Sequence, residues 1–298
     1  MKILLCGSQY HKGDSKALEQ VILQLLQLGE EHQLTIEERF YSYLLSAGYD
    51  LSVARVLPSY GASSSTVHTD LLVTIGGDGT FLRSARLIAG TEARILGINS
   101  GRLGFLANAA PEHFQHYWEE IITGKAVTEE RTLLEATTIT AQGKRIEHGP
   151  ILNEVAIIKR DTASMIKVDM EVNGEHLATY EGDGVLISTP TGSTAYSLSV
   201  GGAIIHPLSP VMAVSPIATH MLTMRPIVLP DDVEISARIS SRTGSYLLAC
   251  DGKSTPKVEG DMIQVRRSSR RLRVLHATDY SFYETLRNKL MWGKDLRS

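Results

Sequence analysis

The chain has 298 residues, 43% of them hydrophobic and 21% charged, with a net charge of −3. That length allows two domains of ordinary size, the composition excludes long disordered tracts, and the acidic balance gives no support for a nucleic-acid partner. The two cysteines, Cys6 and Cys250, form no CxxC and no zinc spacing. No stretch approaches the ~18 apolar residues that span a bilayer, and the run Ile3-Leu4-Leu5-Cys6 is cut off by Ser8-Gln9-Tyr10 before it reaches signal-peptide length. A soluble, cytoplasmic protein with no membrane partner is expected.

The first part alternates strand and helix patterns. Ile3 to Cys6 reads as a short strand ending at Gly7. Ser15 can cap a helix in which Leu18, Val21, Ile22 and Leu25 share one face, closed by Gly29. Ile36, Phe40, Tyr43, Leu44 and Ala47 repeat the helical spacing up to Gly48, and Val53 to Leu57 is a strand before Pro58. Gly61 to Ser65 reads as a loop. Leu71-Leu72-Val73 is a buried strand, Phe81 to Ile88 a helix that stops at Gly90, Arg94 to Ile98 another strand, and Pro111 opens a helix running towards Gly124. Strands alternating with helices imply a doubly wound parallel sheet, whose ligands bind beyond the carboxyl ends of the strands.

Between the Leu71 strand and its helix stands Gly76-Gly77-Asp78-Gly79-Thr80, the most informative stretch of the chain. Glycines in a strand-to-helix turn let bare backbone approach a ligand and present N–H groups to phosphate oxygens. A carboxylate at the centre of such a turn would repel phosphate. Asp78 is better explained as a proton acceptor, a ribose-hydroxyl partner or a magnesium ligand.

From about Arg131 the pattern becomes short and alternating. Ile166, Val168, Met170 and Val172 point one way, and Asn173-Gly174 is a hairpin signal. Val185 to Ser188, Val233 to Ile239, Tyr246 to Ala249, Met262 to Val265 and Leu272 to Leu275 read as further strands. Arg266, Arg267, Arg270, Arg271 and Arg273 could grip phosphates, but a solvated hairpin is the default for them, since flanking Val265 and Leu272 keep strand alternation. Tyr280 to Trp292 returns to helical spacing. A β-rich second domain is expected to begin near residue 126.

Three further clusters carry possible chemistry. Thr189-Pro190-Thr191-Gly192-Ser193-Thr194-Ala195-Tyr196-Ser197 could read a purine edge with hydroxyls and backbone while Tyr196 offers a flat face, or it is a solvated turn capping a helix near Ser193. Asn153-Glu154 interrupts an apolar strand; it marks either the solvent end of that strand or a site for sugar hydroxyls. Glu181-Gly182-Asp183-Gly184 repeats the glycine-flanked aspartate, with a simple turn as the alternative. His113 and His116 fall on a wet helix face with no third metal ligand in view. No GxSxG nucleophile turn and no Walker A lysine motif is present.

Together these clusters resemble NAD kinase. The likeness rests on Gly76-Gly77-Asp78-Gly79, Asn153-Glu154, and Thr189 to Ser197 running on to Gly201-Gly202, in that order and spacing. It extends through Gly97-Ile98-Asn99, Leu103-Gly104-Phe105-Leu106 and Asp279-Tyr280-Ser281, and covers about residue 70 to the end. The resemblance implies transfer of the γ-phosphoryl group of ATP to the 2′-hydroxyl of the adenosine ribose of NAD, with a divalent metal ion, magnesium, as cofactor. It implies an α/β domain over residues 1–125, a β-sandwich over 126–277, and a last segment, 278–298, that returns to the first domain. A homodimer or homotetramer is expected.

The residue roles follow from the same resemblance. Asp78 would contact the reacting ribose as the base, and Gly76, Gly77, Gly79 and Thr80 would hold phosphates. Asn153 and Glu154 would hold the other end of the dinucleotide. Thr194 and Ala195 would meet the adenine, Tyr196 would pack on the ligand, Phe105 would line the adenine pocket, and Asp183 would face the nicotinamide amide. Arg83 and Ser199 complete the expected NAD site. The chain departs from the family pattern at Glu181, where several relatives are basic, and near the C-terminal ligand loop, where a glutamine or histidine often appears and this chain has Asp251-Gly252-Lys253. Two other readings compete: a non-catalytic NAD(H) sensor, and a sugar-phosphate or lipid kinase built on the same glycine turn. The PLGTGND-type segment of the lipid kinases is absent.

Overall fold

The structure, a computed structural model, describes residues 1–10, 15–59, 67–101, 104–161 and 164–293. The expected Gly61–Ser65 loop and Leu103 lie outside the described residues. The chain divides into two compact units, one of Met1–Glu130 with Leu272–Ser298 and one of Arg131–Arg271.

The first unit is built in chain order from β1 (Lys2–Gly7), α1 (Lys16–Leu28), β2 (Gln33–Glu37), α2 (Glu38–Ser46), β3 (Ala54–Leu57), β4 (Leu71–Gly76), α3 (Asp78–Ala85), β5 (Arg94–Asn99) and α4 (Phe114–Ile122). The strands lie in the order β3-β2-β1-β4-β5, all parallel. Every residue of β4 is buried, as a strand covered on both faces requires. Leu18, Val21, Ile22, Leu25 and Leu26 of α1 pack on the sheet, and the Ser15 hydroxyl accepts the Leu18 N–H at 3.3 Å to start that helix. From β1 the chain winds outward to β2 and β3, whereas β4 and β5 lie on its other side. The topological switch therefore falls between β1 and β4, whose carboxyl ends are adjacent, with Gly7 opposite Ile75.

Two expectations change here. Ile36 belongs to β2, not to a helix: Leu34 and Ile36 are buried alternately and pair with Ile3 and Leu5 of β1. The helix begins only at Glu38, after the Glu37 carboxylate caps the Phe40 N–H. The i, i+4 spacing of Ile36 with Phe40 carried a strand residue into the helical pattern. The helix expected from Phe81 to Ile88 starts earlier, at Asp78, and ends at Ala85.

The second unit is all β. It contains β7 (Arg145–Ile151), β8 (Glu154–Lys159), β9 (Ile166–Val172), β10 (Glu175–Gly182), β11 (Gly184–Ser188), β12 (Val211–Ile217), β13 (Ile227–Pro230), β14 (Glu234–Ser241), β15 (Ser245–Cys250) and β16 (Lys253–Val258), with one short helix, α5 (Tyr196–Ser199). One antiparallel sheet runs β13-β12-β11-β8-β15-β16, and β10-β9-β14 belong to the other. Val155, Ile157, Val185, Ile187 and Tyr246 from the first sheet share one core with Val168, Met170, Ile235 and Ile263 from the second, which makes a β-sandwich. Asn173 and Gly174 both have positive φ, 51° and 81°, the geometry of a tight two-residue hairpin.

Two long strands cross the unit boundaries, β6 (Val127–Ile139) and β17 (Met262–His276). The division accordingly falls inside strands, at 130/131 and 271/272, whereas the resemblance implied boundaries at 125/126 and 277/278. The arginine hairpin expected near 266–271 does not exist; β17 runs straight through it. Ser268 is buried and donates to Glu135 of β6, a strand that pairs with β17, while Arg266 and Arg267 pair with Glu135 and Asp231. The last helix, α6 (Phe282–Leu290), belongs to the first unit and buries Phe282, Thr285 and Leu286.

Candidate active site

The glycine turn lies at the carboxyl end of β4, beside the end of β1, where doubly wound sheets bind ligands. Gly77 caps α3, so Asp78 and Gly79 are its first residues and their N–H groups have no intrahelical acceptor. The glycines differ in what they are for. At Gly76 the backbone has φ +155°, and an added Cβ would stand 2.7 Å from Thr80 Oγ1 and 2.8 Å from Ser8 Oγ. At Gly77 and Gly79 a Cβ would meet nothing within 4 Å. Only the first glycine is required by the fold; the other two leave bare backbone facing open space. Thr80 is buried and packs against Gly76.

The Asp78 carboxylate is held from three sides. Oδ1 accepts the N–H groups of Leu106 and Ala107, both at 3.0 Å, and Oδ2 accepts the Phe105 N–H and the Lys289 ammonium, also at 3.0 Å. Burial alone would raise its pKa, but these N–H donors and the Lys289 charge prevail and hold it below the usual carboxylate value. Asp78 is thus a fixed anion, one third exposed. Phe105 is buried beside it, with the Phe282 ring centroid 6.5 Å away and Lys289 Nζ 4.6 Å from its own ring centre.

In the second unit Asn153 immediately precedes β8 and Glu154 opens it, and each is only 8% exposed, which overturns the reading of a solvated strand tip. Their backbone is fixed by Asp251, whose carboxylate accepts the N–H groups of Leu152, Asn153 and Glu154 at 2.9, 2.7 and 3.2 Å. Thr189 braces the other side, donating its hydroxyl to the Leu152 carbonyl and its N–H to that of Asn153. Gly192 sits so close that a Cβ would lie 2.1 Å from the Asn153 carbonyl oxygen. With the backbone satisfied, Asn153 Oδ1, Glu154 Oε2 and Thr191 Oγ1 remain buried without a hydrogen-bond partner among the described residues. Buried polar atoms are ordinarily paired, so these three oxygens are open to a polar group beyond the described residues. Burial, and then the Asp251 charge, push the Glu154 carboxyl up to about 7 against the N–H of Tyr196, which lowers it.

Two family profiles match this chain: residues 59–126 match the ATP-NAD kinase N-terminal domain and residues 152–277 the ATP-NAD kinase C-terminal domain. NAD kinases of Bacteroides fragilis and Flavobacterium johnsoniae are 40% and 36% identical to it, each over the full length of both chains. This chain belongs to the NAD kinase family. The NAD kinase of Porphyromonas gingivalis is 37% identical over 99% of each chain. Among solved structures, yeast NADH kinase complexed with NADH has the same fold at a TM-score of 0.87, with 24% identity over all of this chain and 89% of that one. An NAD kinase from Archaeoglobus fulgidus in complex with ATP superposes at 0.68, with 22% identity over 98% of each.

Within each unit the expected residues are not all in one place. Thr194 and Tyr196 join the Asn153–Glu154 cluster through the Tyr196 N–H and the turn from Thr191 to Thr194. That turn is a 3-10 helix followed by a single turn of α5, not the start of a long helix. Ala195 lies between them, and Tyr196 and Ser199 are exposed. Asp183 is elsewhere: β11 pairs Ser188 with Glu154 and Gly184 with Ile158, so Asp183 stands at the far end of that strand, ion-paired to Lys159 at 2.7 Å. Arg83 lines a cavity of about 180 Å³ with Cys6, Glu37 and Arg39, on the β1 side of α3.

The donor set near Asp78 does not make a protein-built magnesium site. No three His, Cys, Asp or Glu side chains converge among the described residues, and both Asp78 oxygens are engaged by four donors. Magnesium is commonly bound through substrate phosphates with few protein ligands. Two residues escaped the sequence. Asp251-Gly252 signals a hairpin turn, with φ 48° and 77°, and nothing in that signal says the carboxylate turns back to hold Asn153. Lys289 looks like any cation in the last turn of a helix.

Proposed function

We propose that this protein phosphorylates NAD, transferring the γ-phosphoryl group of ATP to the 2′-hydroxyl of the adenosine ribose and releasing NADP and ADP. The observation that carries the reading is the Asp78 carboxylate, fixed at the head of α3 between two glycines at which an added Cβ would meet nothing within 4 Å. In this reading the N–H groups of Gly77 and Gly79 receive phosphate oxygens. The ribose hydroxyl approaches Asp78. Phosphoryl transfer passes through a loose transition state and needs alignment more than a strong base, so a carboxylate of lowered pKa suffices: it orients the hydroxyl and accepts the proton late. In the second unit Asn153, Glu154 and Thr191 supply unpaired buried oxygens suited to ribose hydroxyls, while Thr194, Ala195 and Tyr196 border the adenine.

A divalent metal ion, magnesium, enters with the ATP phosphates in this reading and neutralises their charge. A homodimer or homotetramer belongs to it as well, and the exposed apolar side chains of Met221, Leu222 and Val228 give the second unit a surface to cover. The cysteines are free, which suits the reducing cytoplasm. Among the described residues no helix is long and apolar enough to cross a membrane. The test is incubation of the pure protein with NAD, ATP and magnesium. NADP is the expected product, and its absence would leave the sensor reading in possession.

A further inference from the structure

Phosphoryl transfer gains most from cations aimed at the transferred group. P-loop enzymes supply one from their glycine-rich motif, which this chain lacks. The structure places another cation beside Asp78. Lys289, in the last turn of α6, holds its ammonium 3.0 Å from Asp78 Oδ2 and over the Phe105 ring. Its position is set by packing rather than chance. The Ser281 hydroxyl caps α6, Phe282 packs beside Phe105, and Thr278 is tied to the Glu120 carboxylate of α4 by its N–H at 2.9 Å and by its hydroxyl. Residues 78, 105 and 289 are thus brought together from three separate parts of the sequence, and about a third of the Asp78 and Lys289 side chains remains open to solvent.

We propose that Lys289 is a catalytic residue of the NAD kinase reaction, the fixed cation that meets the oxygens of the transferred phosphoryl group. The inference rests on the assignment of Asp78 to the reacting ribose. Before substrates bind, Lys289 and Asp78 neutralise each other. When the ribose hydroxyl reaches Asp78, the ammonium lies beside the entering phosphoryl group. The ribose oxygen forms its bond to the γ-phosphorus as the bond from that phosphorus to the β–γ bridging oxygen breaks. The hydroxyl proton passes to Asp78, ADP departs with the bonding electron pair, and Lys289 keeps its protons throughout.

The test compares Lys289→Met, Lys289→Arg and Lys289→Ala in steady-state kinetics, each checked by thermal melting. Loss of one such donor typically costs about 10²–10³-fold in kcat. Lys289→Met is expected to fall by about that factor with KM for NAD within threefold of wild type, and Lys289→Arg to recover at least a tenth of the activity. Propylamine, which replaces the missing side chain, should partly restore Lys289→Ala, an effect no purely structural lysine would give. Lys289→Met with kcat within threefold of wild type overturns the proposal. So does a loss that neither arginine nor propylamine repairs and that follows a fall in melting temperature. Asp78→Asn, measured alongside, separates the two readings. If it stays active, the assignment of Asp78 fails and takes the proposal with it. An inactive Asp78→Asn beside an active Lys289→Met removes Lys289 alone.

Discussion

Gly104 stands against Asp78 with no room for a side chain: a Cβ there would lie 2.0 Å from Asp78 Oδ1. The Gly104 N–H bonds the Ala107 carbonyl at 3.1 Å, closing the tight turn whose next three N–H groups grip the carboxylate. Gly104→Ala must push either the turn or the carboxylate aside. Hydrogen bonds to a charged group contribute about 1.5–3 kcal/mol each, so losing one or two should lower the melting temperature by several degrees. With Asp78 displaced, NADP formation should fall at least about tenfold, the equivalent of roughly 1.4 kcal/mol in the barrier. Wild-type turnover in Gly104→Ala would mean that the reaction does not depend on where this turn holds Asp78.

Glu154 gives stability a pH dependence of predictable sign. Its carboxyl is pushed from 4.5 up to about 7 by burial and by Asp251. Between those values the folded protein binds a proton that the unfolded chain has lost, so stability falls as pH rises through the window, and the penalty is complete above it. The full effect is on the order of 3 kcal/mol. Glu154→Gln removes the titration. Its melting temperature relative to wild type should be unchanged near pH 4 and higher at pH 8. Parallel curves across that range would mean that Glu154 ionises in the fold as it does in water.

Asn153 separates its two ends. Its backbone is held by Asp251 and Thr189, whereas its side-chain oxygen has no partner among the described residues. Asn153→Ala should therefore keep the loop in place and remove a contact to the dinucleotide. One neutral hydrogen bond is worth about 0.5–1.5 kcal/mol, or roughly 2- to 12-fold in KM for NAD. KM for ATP should stay within twofold. An equal rise for both substrates would place Asn153 in geometry they share.

How much of this was readable follows from which interactions are local. The β4 strand, the glycine turn and the Asn173-Gly174 hairpin were legible because each depends on a few neighbouring residues and a fixed period. Ile36 misled because i, i+4 spacing is blind to a strand ending at Glu37. The arginine tract misled because charge suggests a solvated turn, yet β17 runs through it paired with β6, where Ser268 donates to Glu135 far away in sequence. The site was legible in the same uneven way. Asp78 and Asn153-Glu154 announced themselves as polar groups interrupting apolar patterns. Asp251 and Lys289, which fix them, act across 98 and 211 residues of sequence, and no local pattern encodes a contact of that kind.

The glycine turn offers the sharpest contrast, since neighbouring glycines should respond in opposite ways. Gly79 is the second residue of α3, and a Cβ on it meets nothing within 4 Å. Alanine there fits the helix better than glycine by about 0.8–1 kcal/mol, so Gly79→Ala should keep or slightly raise the melting temperature. The same methyl group occupies the open space assigned to phosphate and ribose, and NADP formation should drop at least about tenfold, a further 1.4 kcal/mol on the barrier. At Gly76 the order reverses. A Cβ would stand 2.8 Å from the Thr80 Cβ with φ held at +155°, so Gly76→Ala should lower the melting temperature before any ligand is added. Thermal melts and initial rates on the two variants make the comparison. If Gly79→Ala loses stability and keeps its rate, the open face of the turn is not where the substrates lie, and phosphate must be sought at another strand end.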